Sequence, residues 1–206
     1  MKAVKLIRAI AGGTLLLVSV ASADDDVPST QPSTRGYSPY PEQTFPNRVF
    51  FGDTHLHTSY STDAGMIGNT LGPEEAYRFA RGETVTSSTG LPARLERPLD
   101  FLVVADHAES VGAAPAIAKS DPVVMETEFG QQLVAFVKAG QPDKAYDLWL
   151  EEATKGNNPL AGDERLILPA WKHITKTADE FNEPGRFTAF IGYEWTSHPG
   201  GNNLHR

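Results

Sequence analysis

The sequence contains no cysteine among its 206 residues. This absence excludes disulfides, thiolate metal sites, iron–sulfur clusters and cysteine nucleophiles, so any metal must be held by histidine and carboxylate side chains. Positive charge is also scarce, because 18 Lys and Arg residues stand against 26 Asp and Glu residues, for a formal net charge of −8. An acidic chain without a basic block is a poor candidate for binding phosphate backbones, so we expect no nucleic-acid partner.

The sequence also has no apolar run long enough for a permanent membrane span. Its apolar run over 9–20 would extend about 18 Å as a helix, against a hydrocarbon core of ~30 Å. Three basic residues precede this run and Ala21-Ser22-Ala23 follows it, which is the order of a secretory signal peptide. We therefore expect a signal peptide over 1–23 and an exported mature chain, periplasmic or secreted. Its removal takes away three positive charges and changes the net charge from −8 to −11.

Residues 24–46 contain five prolines and few aliphatic side chains. Such a segment cannot bury enough apolar surface to offset the entropy lost on ordering. It therefore predicts a linker or a surface wrap before the folded domain.

From residue 47 onward, the hydrophobic pattern predicts an α/β domain. Continuous apolar runs predict parallel strands that are buried on both faces, at Arg48–Gly52, Phe101–Ala105 and Phe187–Gly192. Proline starts and glycine stops help to predict helices over Pro73–Arg81, Glu126–Ala139, Pro142–Lys155 and Pro169–Asn182. A small hairpin is predicted within Thr84–Arg97. This order of elements is typical of an α/β fold with right-handed crossovers.

Ionisable residues follow each predicted strand. They are Asp53, His55 and His57 after the first strand, Asp106 and His107 after the second, and Glu194 after the third. Chemistry in α/β folds gathers at the carboxyl ends of the strands. Side chains at i and i+2 of an extended chain point to the same side, so two imidazoles can converge on one cation. His205 adds a further nitrogen, whereas a surface or capping role is expected for mid-helix His173, and His198 in a Pro-Gly-Gly loop is a weaker candidate.

Several of these motifs resemble those of a known superfamily. Phe51–Thr58, Val104–His107 and Ile191–Glu194 are similar to the first three motifs of the polymerase-and-histidinol-phosphatase (PHP) superfamily. More closely, the stretch from Arg48 to Arg206 resembles the N-terminal part of the domain-of-unknown-function 3604 family. The motifs that carry this closer resemblance are Ala76–Glu83, Arg97–Leu102, Gly192–Thr196 and Gly200–Arg206.

The resemblance implies a distorted (β/α) barrel that holds up to three divalent metal ions and hydrolyses phosphate esters. Carried over by residue, His55 and His57 would bind the first metal, and Glu194 would bridge it to a second. His205 would be a ligand of the second metal, and Asp63 with His107 would bind the third. Asp53 and Asp106 would fix imidazole tautomers.

This ligand set implies a mechanism in which a cation activates water for attack on phosphorus and neutralises charge on the phosphoryl oxygens. Mixed histidine and carboxylate sites accept Zn²⁺, Mn²⁺ or iron. The substrate would be a small-molecule phosphate ester. No side-chain nucleophile is required, and the sequence has neither a Gly-rich phosphate loop nor a G-x-S-x-G elbow.

The later motifs of the PHP superfamily, a histidine and an Asp-x-His pair, do not follow His205 in this sequence. We therefore expect residues 47–206 to be the N-terminal portion of a barrel, apparently truncated, with exposed strand edges and little activity alone. Two alternatives stay open. An amidohydrolase-type barrel also begins with H-x-H, although no lysine lies at a predicted strand end to serve as a carbamylated ligand. The other alternative is a secreted, non-catalytic protein that binds cations or a partner.

Overall fold

A three-stranded parallel sheet lies at the centre of the described part of the chain. The computed structural model describes residues 48–197 and 204–206, so the expected signal peptide, the proline-rich segment and His198 lie outside the described residues. The strands are β1 Gly52–Leu56, β2 Val85–Thr86, β3 Pro92–Ala93, β4 Phe101–Val104, β5 Thr188–Ile191, β6 Thr196–Ser197 and β7 Leu204–His205. The helices are α1 Thr62–Gly65, α2 Pro73–Ala80, α3 Ala113–Lys119, α4 Glu128–Lys138, α5 Pro142–Lys155 and α6 Glu164–Phe181. Two short 3₁₀ turns lie at Ala108–Ser110 and Val124–Glu126.

The central sheet has the strand order β1–β4–β5, and both neighbouring pairs are parallel. Strands β2 and β3 form an antiparallel hairpin, and β6 pairs antiparallel with β7. Over residues 48–197 and 204–206 these strands do not close into a barrel. The predicted α/β class with a parallel sheet is confirmed, and so is the hairpin within Thr84–Arg97.

The first strand was predicted at Arg48–Gly52, but β1 begins at Gly52. The apolar run that suggested the earlier position contains Phe50 and Phe51, which are both exposed. Pairing with β4 determines the start of the strand instead, because Gly52 lies opposite Phe101. A Cβ atom at Gly52 would overlap the ring and the carbonyl oxygen of Phe101. Hydrophobicity alone does not contain this register information.

A hydrophobic core packs against one face of the central sheet. Leu102 and Ala189 pack there against Tyr77 of α2 and Ala178 of α6. The prediction that the strands are buried on both faces is wrong for the described residues. Most of β1 is exposed, and Phe190 of β5 is 48 % exposed. Alternating burial along β4 fits a sheet with one covered face rather than two.

The helix predictions are correct where a proline at the start and a glycine at the end mark the helix in the sequence. Helix α5 begins and ends where predicted, between Pro142 and Gly156, whose positive φ of 72° suits glycine. Helix α6 begins at Glu164 rather than Pro169, because the Asp163 side chain caps it by accepting from the Arg165 amide. Helix α3 was not predicted. None of the helices in the described ranges is long and apolar enough to cross a membrane.

Helices α3, α4 and α5 enclose a second core. Ile117, Leu133 and Trp149 are buried there, one from each helix. This core places one side of α5 near the segment that follows β4. Tyr146 and Trp149 of α5 line the same cavity as His107 and Glu109, which follow β4.

Candidate metal centre

Four imidazoles surround the carboxylate of Glu194, which is only 2 % exposed. Its Oε1 atom lies 3.3 Å from His55 Nε2 and 2.9 Å from His205 Nδ1. Its Oε2 atom lies 2.9 Å from His57 Nε2 and 3.5 Å from His107 Nδ1. All four histidines that were predicted as ligands therefore meet at the one predicted bridging glutamate.

Strand pairing explains how the ligands meet although they are far apart in sequence. The parallel contact of β4 and β5 continues past both strands as a bridge between His107 and Glu194. The Glu194 amide donates to the Asp106 carbonyl oxygen at 3.0 Å. Beyond Glu194, Thr196 of β6 pairs with His205 of β7. The backbone thus brings the segments that carry His107, Glu194 and His205 to one edge of the sheet.

The H-x-H pair lies at the end of β1, the outer strand beside β4. Asp53 and His55 are the second and fourth residues of β1, and His57 is the first residue after it, so the prediction that all three follow the strand is correct only for His57. The rings of His55 and His57 stack with centroids 5.0 Å apart and an interplanar angle of 10°. This stacking is the same-side arrangement that i and i+2 positions of an extended chain give. Both Nε2 atoms therefore reach the same carboxylate.

Asp63, near the start of α1, contacts two of the histidines. Its Oδ2 atom lies 2.9 Å from His57 Nδ1 and 3.5 Å from His107 Nε2. The Ser61 hydroxyl donates to Asp63 Oδ1 at 2.6 Å. The structure therefore brings the predicted pair Asp63 and His107 together. It also gives Asp63 a shorter contact with His57 than with His107.

Three overlapping groups of side chains have ligand atoms within 4.8 Å of one another and could hold a metal ion. The groups are His55, His57 and Glu194; His57, Asp63 and His107; and His107, Glu194 and His205. Their members are the six residues predicted as metal ligands. Imidazole nitrogens and carboxylate oxygens are the donors that Zn²⁺ and related divalent ions accept, and this donor set does not select one metal.

Two atoms at the centre indicate that the residues fit a cation. His57 Nε2 and Glu194 Oε2 are buried, and neither has a hydrogen-bond partner among the described residues. They lie 2.9 Å apart, but their geometry does not make a hydrogen bond. A buried polar atom without a partner costs roughly 1–3 kcal/mol. Two ligands that face one cation have this arrangement, and the cation removes the cost.

Contacts with Asp63 shift the pKa values of two imidazoles in this site. The hydrogen bond of Asp63 with His57 raises the pKa of that imidazole. Burial alone would lower the pKa of His107, but the hydrogen bond and the charge of Asp63 outweigh it and raise that pKa. Burial would raise the pKa of Asp63, yet hydrogen bonds from His107, His57 and Ser61 hold it well below its usual range. Cation binding would displace protons from this cluster.

The two aspartates that were expected to fix imidazole tautomers contact other groups. Asp53 accepts a hydrogen bond from the His55 backbone amide at 2.8 Å. Asp106 accepts from the Thr58 amide at 2.6 Å and from the Thr58 hydroxyl at 2.7 Å, and its burial raises its pKa. Both carboxylates therefore hold the backbone around the H-x-H pair rather than its rings.

Hydroxyl side chains contact the imidazoles instead, and the sequence analysis missed them. Thr196 Oγ1 lies 2.9 Å from His107 Nδ1 and 3.1 Å from His205 Nδ1. Ser61 Oγ lies 3.2 Å from His57 Nδ1. Thr196 directly follows the Gly-Tyr-Glu-Trp motif, which was the only sequence signal available for it.

His173 lies outside this cluster, as expected. It is exposed and its ring stacks on Tyr60 with centroids 5.3 Å apart. Among the described histidines, the other four take part in the candidate groups. His173 is therefore a matched control position for experiments on the centre.

Fold and site define a mixed α/β protein with a histidine–carboxylate cluster at the carboxyl end of a parallel sheet. Residues 44–206 match the family described as protein of unknown function (DUF3604), and the chain belongs to this family. The predicted family is thereby confirmed. Neither the curated proteins nor the solved structures with which the chain was compared gave a match.

Proposed function

We propose that the protein is an exported, metal-dependent phosphoesterase that acts on a small phosphate ester. We also propose that it is related to the PHP superfamily, and that its parallel sheet belongs to a distorted (β/α) barrel. The observation that carries the proposal is the buried Glu194 carboxylate, contacted by imidazoles, with Glu194 Oε2 and His57 Nε2 left without partners.

The ligands fall into the three overlapping groups already described. Glu194 belongs to two of them, which suits a bridging carboxylate, and Asp63 lies in the group on the other side of His57. These residues would hold divalent cations, which would supply a bound water of lowered pKa and positive charge for the phosphoryl oxygens.

The protein's own groups hold the imidazoles in place. A hydrogen bond from His57 Nδ1 to Asp63 leaves Nε2 free of a proton in the neutral ring, and that nitrogen faces Glu194. Thr196 links His107 to His205 and so limits the rotation of both rings. Asp106 keeps the chain after His57 in place through its two bonds with Thr58. Such outer contacts raise the precision of a ligand set.

Charge supports a phosphate ester as the substrate once cations are present. Without cations, the carboxylates of Glu194, Asp63 and Asp106 disfavour an anionic phosphate at this place. Divalent cations at the same place bring the opposite charge and attract it. A phosphate ester therefore suits the loaded site and not the empty one.

The test combines metal analysis with an assay on p-nitrophenyl phosphate. The purified protein, loaded separately with Zn²⁺, Mn²⁺ or Fe²⁺, should bind the metal stoichiometrically and release p-nitrophenol slowly, at a rate that depends on the bound metal. Glu194→Gln should lose bound metal and reduce kcat/KM by roughly 100-fold or more, because the bridging charge is gone. His173→Gln is the matched control and should keep both properties. Bound metal without turnover would favour the non-catalytic cation-binding protein, and the absence of bound metal would overturn the proposal.

Export has its own test. Cells that express the full chain should contain a processed protein outside the cytoplasm whose N-terminal residue is Asp24. An intact mass that still includes residues 1–23 would contradict cleavage after Ala23.

A further inference from the structure

A cavity of about 290 Å³ opens beside the candidate metal centre. Asp63, His107 and His205 line its side towards the centre. Tyr146 and Leu150 of α5 line another part of its wall. A molecule that contacts the centre through one end can therefore place its other end in this cavity.

Two polar groups in the cavity wall have no partner among the described residues. They are the two carboxylate oxygens of Glu109 and the amide nitrogen Nδ2 of Asn158, and all three atoms are shielded from solvent. The Glu109 side chain as a whole is 34 % exposed, so its exposed part is the hydrocarbon stem. Glu109 played no part in the predicted site.

The Glu109 carboxylate has no hydrogen bond among the described residues, and its nearest cationic group is the His107 ring when that ring is protonated. Its Oε2 atom lies 3.8 Å from His107 Nδ1, beyond hydrogen-bond distance, and that nitrogen lies 2.9 Å from the Thr196 hydroxyl instead. Among the described residues, none of the groups with ligand atoms within 4.8 Å of one another includes Glu109. The carboxylate therefore lies next to the metal centre without belonging to it.

The amide of Asn158 has a fixed orientation. Its Oδ1 atom accepts from the Leu160 amide at 3.0 Å, which assigns the unpartnered atom as the donor Nδ2. The Gly162 amide donates to the Glu109 carbonyl oxygen at 3.1 Å and ties the two segments together. One anionic acceptor and one neutral donor thus lie just beneath the surface of the cavity wall, and the Glu109 side chain is exposed enough to turn its carboxylate into the cavity.

We propose that this cavity binds the part of the substrate that leaves with the ester oxygen, and that Glu109 selects a short alkyl chain that ends in a protonated amine. The proposal rests on the phosphoesterase function proposed above. Once the Glu109 side chain turns towards the cavity, an ammonium group would donate hydrogen bonds to its oxygens and supply a charge opposite to that of the carboxylate. A hydroxyl group would supply a hydrogen bond but no charge. Asn158 Nδ2 would donate to an ester or phosphate oxygen.

The required chain is short because the two binding points are close. Glu109 Oε2 is 3.8 Å from His107 Nδ1, and His107 belongs to two of the candidate cation groups. A phosphate held by a cation at His107 would therefore lie only a few bonds from the amine. Tyr146 and Leu150 offer apolar surface for the carbon atoms between them.

A matched pair of ligands tests this selection. Phosphoethanolamine and n-propyl phosphate have similar size and differ in an ammonium group replaced by methyl. Isothermal titration calorimetry on the Zn²⁺-loaded full chain should give at least tenfold tighter binding of phosphoethanolamine. Glu109→Gln should bring the ratio of the two affinities close to one. Glu164→Gln, at an exposed position on α6, should keep the wild-type ratio.

The outcomes separate this proposal from the function on which it rests. Equal affinities in the wild type, no binding of phosphoethanolamine, or a ratio that survives in Glu109→Gln would overturn the selection by Glu109. The wild-type comparison decides even if the variant does not fold. If phosphoethanolamine binds more tightly but neither ester is hydrolysed, the selection stands and the phosphoesterase function fails. If both are bound and hydrolysed equally well, the function stands and the selection fails.

Discussion

The Nε2 atom of His57 lies 2.9 Å from the Oε2 atom of Glu194, yet no hydrogen bond joins them and both atoms are buried. A folded chain seldom leaves two such atoms unsatisfied, because each costs free energy. A cation held by His57 and Glu194 would give both atoms a partner, and the free energy regained would favour cation binding.

Cation binding should stabilise the fold. Because His57 Nε2 and Glu194 Oε2 are buried without partners among the described residues, a divalent cation should raise the midpoint of thermal unfolding. The expected gain in the free energy of unfolding is about 2.7 kcal/mol at a free cation concentration 100 times Kd. Differential scanning calorimetry with Zn²⁺ and with EDTA measures it. His173→Gln should show the full gain and Glu194→Gln little of it, whereas equal gains in both variants would argue against binding at Glu194.

Asp63→Asn should reduce the number of cations bound per chain and weaken those that remain. Asp63 contacts both His57 and His107, so an amide in its place removes the charge that serves both rings. Metal analysis after equilibrium dialysis gives the stoichiometry. Asp179→Asn, at an exposed position in α6, is the matched control. Unchanged stoichiometry in Asp63→Asn would contradict the role of Asp63 as a metal ligand.

Thr196→Val should weaken cation binding by roughly 10–100-fold, as expected when a group that orients metal-binding histidines is lost. The substitution keeps the shape of the side chain and removes the hydroxyl that contacts His107 and His205. Competition with a chromophoric chelator measures the affinity. Thr196→Ser should restore it, since serine returns the hydroxyl. The role is contradicted if valine and serine give the same affinity as threonine.

The free energy of unfolding above pH 10 should depend on ionisation of the buried Tyr77. Burial raises the pKa of Tyr77 to about 12, and its hydroxyl donates to the Phe190 carbonyl oxygen at 3.2 Å. Because the folded-state pKa is raised, the protonated Tyr77 phenol contributes fully to the free energy of unfolding below the unfolded-state pKa of about 10. This contribution is lost as pH rises towards 12, at about 1.4 kcal/mol per pH unit.

Urea unfolding at several pH values compares the wild type with Tyr77→Phe. The free-energy difference between the two proteins should shrink over this pH range. Tyr193→Phe, at an exposed position, should give a curve parallel to that of the wild type. A constant difference between wild type and Tyr77→Phe would contradict the burial argument.

The sequence predicted the parts of the fold that depend on local signals. Helix α5 lies between Pro142 and Gly156, and both of its ends were predicted. The start of β1 depends on its pairing with Phe101, and the start of α6 depends on the capping side chain of Asp163. Long-range pairing and a competing cap are not visible in hydrophobic periodicity.

The residues of the candidate site also divide into those with a local sequence signal and those without one. Histidines and carboxylates were recognisable because H-x-H, Asp-His and a glutamate follow three different predicted strands, although H-x-H alone is weak evidence. The hydroxyls of Ser61 and Thr196 were not, because serine and threonine are common in loops and have no diagnostic spacing. Glu109 was missed for a different reason. Only the fold shows that its carboxylate is shielded and lacks a partner.

The most direct test of the central claim is anomalous X-ray scattering from crystals of the Zn²⁺-loaded protein, with data collected on both sides of the zinc absorption edge. We predict a peak about 2.0–2.2 Å from a Glu194 oxygen and from the Nε2 atom of His57 or His55. Crystals of Glu194→Gln grown under the same conditions should lack it. A fully loaded wild-type crystal without a peak at Glu194, or with zinc bound only elsewhere, would contradict the claim that this cluster is a metal centre.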